Sequence, residues 1–140
     1  MANEAVLVVR LEDPIDFTVA DGTAITKGAI LKLNDNMVAS AGGAALDPIA
    51  GIAARDKVAS DGRTQLGCYI RGIFRLKASG AITVGDAICA DAQIDDNYVK
   101  TTGTTSNLSG ARILGYALET ATDNNYFLAM VNIQGGYITA

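Results

Sequence analysis

One pattern of glycines, turns and apolar blocks occurs twice in this chain, and that doubling constrains its fold more than any other feature. Residues 25–34, ITKGAILKLN, are echoed by residues 82–91, ITVGDAICAD. NMVAS at 36–40 answers to NYVKT at 97–101, PIAGIAARD at 48–56 to RILGYALET at 112–120, and QLGCYIRGIF at 65–74 to LAMVNIQGGY at 128–137. The offset grows from 57 residues at Gly28 and Gly85 to 64 at Gly51 and Gly115, so the second copy carries longer loops. Short aliphatic runs separated by Gly, Asn and Asp favour strands and turns over helices. The expected fold is all-β: a small β-barrel or β-tulip-like domain made of two degenerate repeats, about 25–76 and 82–138. With 140 residues the chain suffices for one domain, 25–140, preceded by an N-terminal extended arm at 1–24.

Along the chain, EAVLVVRL at 4–11 reads as a strand that ends near Pro14, which removes a ladder donor. DFTVADGT at 16–23 offers a second short strand and an Asp21-Gly22 turn. In copy one, Asn34 to Met37 is turn chemistry before a short strand at Met37 to Ala39. Ile49 to Arg55 reads as a buried strand in which Gly51 admits a neighbouring backbone. Asp61-Gly62 is the strongest hairpin signal. After it, Leu66, Cys68 and Ile70 share one apolar face, and Ala129, Val131 and Ile133 match them in copy two. Residues 109–121 have some helical spacing, but Gly110 and Gly115 favour a strand.

The net charge of −4 is unevenly spread. Residues 1–24 set Arg10 against Glu4, Glu12, Asp13, Asp16 and Asp21, a balance of −4. Residues 55–77 set Arg55, Lys57, Arg63, Arg71, Arg75 and Lys77 against Asp56 and Asp61, a balance of +4. Such patterning usually tunes solubility, and the sharper reading docks the acidic leader onto the basic segment of another copy. The leader can equally pair with a sheet edge of its own subunit. The candidate interface comprises Glu4, Val6, Val8, Arg10, Glu12 and Asp13 of the arm with Arg71, Arg75 and Lys77. One short basic stretch in an acidic chain is a poor nucleic-acid surface. No apolar run reaches the ~20 residues of a membrane-spanning helix.

Catalytic chemistry finds little footing. The chain has no His, which removes Ser-His and Cys-His nucleophile systems, and no GxSxG elbow. No Trp is available to stack a sugar between paired carboxylates. DAQIDDN at 91–97 mimics the start of a calcium loop but has Asp96 where Gly is needed and Thr102 where Glu is needed. Phosphate loops of the GxxxxGK and GxGxxG types are absent. No metal, cofactor or small-molecule substrate is expected. Cys68 and Cys89 have no metal or redox spacing and read as buried reduced thiols, in keeping with synthesis in a cytoplasm. Lys57 in RDKVAS resembles the lysine-bearing hairpin of lipoyl or biotinyl carrier domains, although it lies just before the stronger Asp61-Gly62 turn.

Taken in order, an arm, then GAILKL, PIAGIAARD and GRTQLGCYIRGIFRL, then GDAICAD, ARILGYALE and YFLAMV resemble the tailed-phage capsid cement or head decoration proteins. The resemblance spans roughly residues 25–135, and the arm at 2–20 has no counterpart in it. It implies a small β-barrel protein, commonly a homotrimer, that binds the major capsid protein on the outer surface of the virion and is made in the host cytoplasm. It implies no catalytic residue. The alternatives are a carrier domain modified at Lys57 and another structural head or tail component.

Overall fold

The computed structural model describes residues 3–42, 47–91, 97–102 and 112–133, all of them strand, turn or loop. Eleven strands follow one another: β1 Val6–Arg10, β2 Ile15–Thr18, β3 Ile30–Asp35, β4 Val38–Ala41, β5 Ile49–Ala53, β6 Gln65–Tyr69, β7 Arg71–Ala78, β8 Ala87–Ala90, β9 Tyr98–Thr101, β10 Gly115–Ala117 and β11 Tyr126–Asn132. Strands β2-β4-β3-β5-β6 close one barrel. Strands β7-β11-β10-β8-β9 close a second, and β1 is added to it along β7. Each ring is sealed by a parallel contact, Thr18 beside Val38 in the first and Ala78 beside Val99 in the second.

The two barrels are the two copies, and their backbone hydrogen bonds coincide. Ile25 and Lys57 exchange N–H to C=O bonds in the first, as Ile82 and Ala121 do in the second. The Gly28 amide donates to the Ala53 carbonyl, and the Gly85 amide to the Ala117 carbonyl. Both glycines have positive φ, 86° and 91°, which an L-side chain rarely adopts. At Gly51 a Cβ would lie 2.7 Å from the Tyr69 carbonyl oxygen, and at Gly115 it would lie 1.8 Å from that of Met130. The close approach expected at Gly51 therefore holds in both copies.

The phase of the repeat differs from the sequence expectation. The copies run from β2 to β6 and from β7 to β11, about 15–69 and 71–132, rather than 25–76 and 82–138. The segment 1–24 is divided: β2 is a barrel strand whose Phe17 is buried, and only β1 lies outside the repeat. The closing strands also align differently. Ala53 pairs with Cys68 and Ala117 with Ala129, which sets the offset at 61 residues in place of 63. A slip of two residues leaves every side chain on its face, so the expected buried parity survives it. Asp61-Gly62 is not a two-residue hairpin, since β5 and β6 are joined by residues 54–64. Of the segment 109–121, residues 115–117 form β10 and residues 109–111 lie outside the described residues.

A five-stranded barrel is narrow, which suits alanine-rich interiors. The first core holds Phe17, Val19, Ile25, Leu31 and Leu66 with Ala29, Ala39, Ala50, Ala53 and Cys68. The second is built on Phe74, Leu76, Ile82, Ile88, Val99, Leu114, Phe127 and Val131. Strand β5 serves both. Leu31 faces Gly51 and Lys32 faces Ile49, which leaves Ala50 as the extra residue of a β-bulge. Ala50 and Ala53 consequently fill the first core, while Ile49 and Ile52 pack into the second. Only Ile70 separates β6 from β7.

Candidate functional site

Strand β7, RGIFRLKA, alternates cleanly: Gly72, Phe74, Leu76 and Ala78 point inward, and Arg71, Ile73, Arg75 and Lys77 point outward. The flanking strands put their outward side chains in register with these. On one side Val6 lies opposite Arg75 and Val9 opposite Ile73. On the other, Tyr126 lies opposite Lys77, Leu128 opposite Arg75 and Met130 opposite Ile73. Tyr116 of β10 continues the row beside Met130. The result is a contiguous outer face with an apolar and aromatic field, on which Val6, Val9, Tyr116 and Tyr126 are 42–52 % exposed.

Its cations are largely uncompensated. Arg71 meets Glu12 at 3.6 Å. The Lys77 Nζ stands 5.4 Å from the Tyr126 ring centroid and 5.8 Å from that of Tyr98, so two aromatic rings flank it. Neither Arg75 nor Lys77 has a carboxylate partner among the described residues. In a chain of net charge −4, this is a local positive surface with an apolar centre.

Of the residues picked out in the sequence, Val6, Arg71, Arg75, Lys77 and Glu12 come together here. Their meeting occurs within one subunit: β1 pairs antiparallel with β7, so the acidic leader reaches the basic segment of its own chain. Val8 has no partner on β7 because the register shifts between Leu7 and Val9. Arg10 pairs at 3.5 Å with Asp13, both well exposed at the end of β1. Glu4 stands apart, at a groove of about 390 Å³ that it lines with Ala5, Val6, Leu7, Lys27 and Tyr69. Ile73, Leu128, Met130, Tyr116 and Tyr126 were missed by sequence reasoning. The period-two alternation of β7 and β11 was the signal that would have found Ile73, Tyr126, Leu128 and Met130, whereas Tyr116 lies on the three-residue β10, too short to show one.

The other tested positions are structural. The Lys57 amine is buried and donates to the Asp21 carbonyl at 2.8 Å, the Val58 carbonyl at 3.1 Å and the carboxylates of Asp61 at 3.1 Å and Asp21 at 3.4 Å. A carrier domain needs a projecting lysine, so this enclosed amine overturns the lipoyl or biotinyl alternative. The Arg63 amide, with Lys57 adding to it against partial burial, holds the Asp61 carboxyl below its usual pKa. Cys68 and Cys89 are free and buried. Burial pushes their thiols up to about 12 and about 11, which keeps them protonated and unreactive. The calcium-like run at 91–97 lies mostly outside the described residues.

A family model for phage cement proteins matches residues 9–133. The chain belongs to the phage cement protein family. Membership makes it a structural phage protein associated with the capsid. The match begins within β1 and ends just after β11, so it takes in both barrels. A solved structure, the N base of head fiber gp8.5 in bacteriophage phi29, has a similar fold. It gives a TM-score of 0.53 at 17 % identity, covering 89 % of this chain and 98 % of that one. No curated protein matches the sequence.

Proposed function

We propose that this protein binds the outer surface of a phage capsid and braces it, and that it meets the major capsid protein through the outward face of β1, β7 and β11. The observation that carries this reading is the juxtaposition on one face of surplus cations, Arg75 and Lys77, with exposed Val6, Val9, Tyr116 and Tyr126. Aromatic and arginine anchors dominate binding energy at protein interfaces. A positive patch steers an acidic partner and rejects a like-charged one. The two-barrel body acts as a brace without catalysis, and many identical weak contacts around a shell add up through multivalency. The protein is made in the host cytoplasm and assembles as a homotrimer, which would present three such faces together.

The test is decoration of shells that lack the protein, imaged by electron microscopy. Wild-type protein should fill its sites, and shells carrying it should resist heating better than bare ones. Arg75→Glu with Lys77→Glu should weaken binding at least roughly tenfold, equivalent to about 1.4 kcal/mol. Full occupancy by this variant would remove the face from the contact. Deleting residues 2–15 is a less clean test, because Ala5 and Leu7 pack on the second core. Attachment seen only at the tail would show a different virion component.

A further inference from the structure

Strand β1 ends the six-strand order and pairs only with β7 among the described residues. An end strand presents unpaired N–H and C=O groups along its outer side, which are a template for another extended chain. Beside it lies the groove of about 390 Å³, walled by Glu4 to Leu7 on one side and by Lys27 and Tyr69 of the first barrel on the other. The Ala5 amide donates to the Gly28 carbonyl, which ties this wall to the first barrel. Its floor is apolar, with Tyr69 set edge-on to Phe74 at 5.9 Å and Leu7 packed on the core. At its rim Glu4 and Lys27 carry opposite charges, and neither side chain has an ion-pair partner among the described residues.

We infer that an extended segment of a capsid subunit adds to β1 as a further strand and seats an apolar side chain in this groove. That segment would carry an acidic group near Lys27 and a basic group near Glu4. A free edge supplies main-chain hydrogen bonds, and an adjoining pocket supplies side-chain selectivity, as in other cases of strand addition. A second copy of this chain can reach this edge only through its own β1, because β2 to β11 are all committed to closed rings, whereas the family's association with a capsid supplies a separate partner chain. The inference rests on the capsid-binding reading but concerns a different part of β1, its edge and not its outward face.

Hydrogen exchange on the full-length protein, free and bound to shells, tests it. In the free protein the outer amides of β1 should exchange fast, and on shells they should become protected. Lys27→Glu should weaken shell binding roughly tenfold, and combining it with Glu4→Lys should further change the preference for the occupant and not the thermal midpoint of the free protein. Slow exchange already present in the free protein would overturn the inference, with a solution mass separating occupation by a second copy from occupation by the chain itself. If wild-type protein decorates shells while β1 stays unprotected and Lys27→Glu binds normally, the groove inference fails alone. If wild-type protein does not decorate shells, the capsid-binding reading fails first.

Discussion

The first and second barrels share a backbone and differ in what holds their open ends. In the first, the loops after β2 and β5 are gathered by the buried Lys57 amine, which satisfies two carbonyls and two carboxylates. In the second, Ala121 takes the same position, and the Asp123 carboxylate accepts the Gly80 amide instead. The repeat also sets Asn36 against Asn97. Asn36 is exposed, with its amide capped by Asp35. Asn97 is buried, accepts the Ile30 amide at 2.9 Å and donates to the carbonyls of Gly28 and Asn3. Strand geometry is thus what the copies keep. Polar side chains are spent where a copy meets something outside itself: loops in one case, the other barrel and the N-terminal segment in the other.

The sharpest break in the symmetry is expected at a glycine pair that both copies keep, Gly51 and Gly115. Gly115→Ala puts a Cβ 1.8 Å from the Met130 oxygen, so β11 must shift bodily. We expect a loss of about 4 kcal/mol or more, read as failure to fold or a collapse of the denaturant midpoint. Gly51→Ala, at 2.7 Å, should cost less, and equal losses would refute the difference in packing.

Lys57→Met should come next. It removes the amine from the Val58 and Asp21 carbonyls and from two carboxylates, but Asp21 keeps the Ser60 and Gly62 amides and Asp61 keeps the Val58 and Arg63 amides, so the cost is roughly 2–3 kcal/mol, below that of a fully buried pair. Ala121, the counterpart, has no such role to lose. The same cluster sets an acid limb. The pKa of Asp61 is depressed on folding, so its contribution is present above its ordinary value of 3.8 and is lost as pH falls through the lower, folded value. Chemical denaturation across pH 2–5 should show this limb in wild-type protein and a shallower one in Lys57→Met.

Asn97→Ala should follow at about 2 kcal/mol, since it orphans the buried Ile30 amide and also loses the side chain best suited to its φ of 57°. Asn36→Ala should stay within about 0.5 kcal/mol. Thermal melts of the two variants side by side would settle whether Asn97 clamps the barrels: similar melting points would sink that role.

Much of this was legible in the sequence, for identifiable reasons. Gly28, Gly51, Gly85 and Gly115 are fixed by backbone geometry, which no side chain can imitate, so they mark the repeat directly. The phase was not legible, because β2 (IDFT) and the end of β7 (RLKA, 75–78) share no residue type and are matched only by the parallel contacts that close each ring. Lys57 looked like a hairpin lysine because its acceptors come partly from Asp21, 36 residues away. Asn97 stood out only as the last residue of the calcium-like run for the same reason: its acceptors and donor lie 67 to 94 residues away. The candidate face was half visible, since alternation in β7 shows which residues point outward but not that β1 and β11 flank it.

The joint at Ile70 has a mechanical consequence. With one residue between β6 and β7, and with Ile49 and Ile52 of the first barrel embedded in the core of the second, there is no tether long enough for the two rings to swing apart. A pull on either ring passes straight into the other through continuous strand and shared packing. The pair should therefore stretch as one stiff spring, and a single rupture event in force spectroscopy would be its signature.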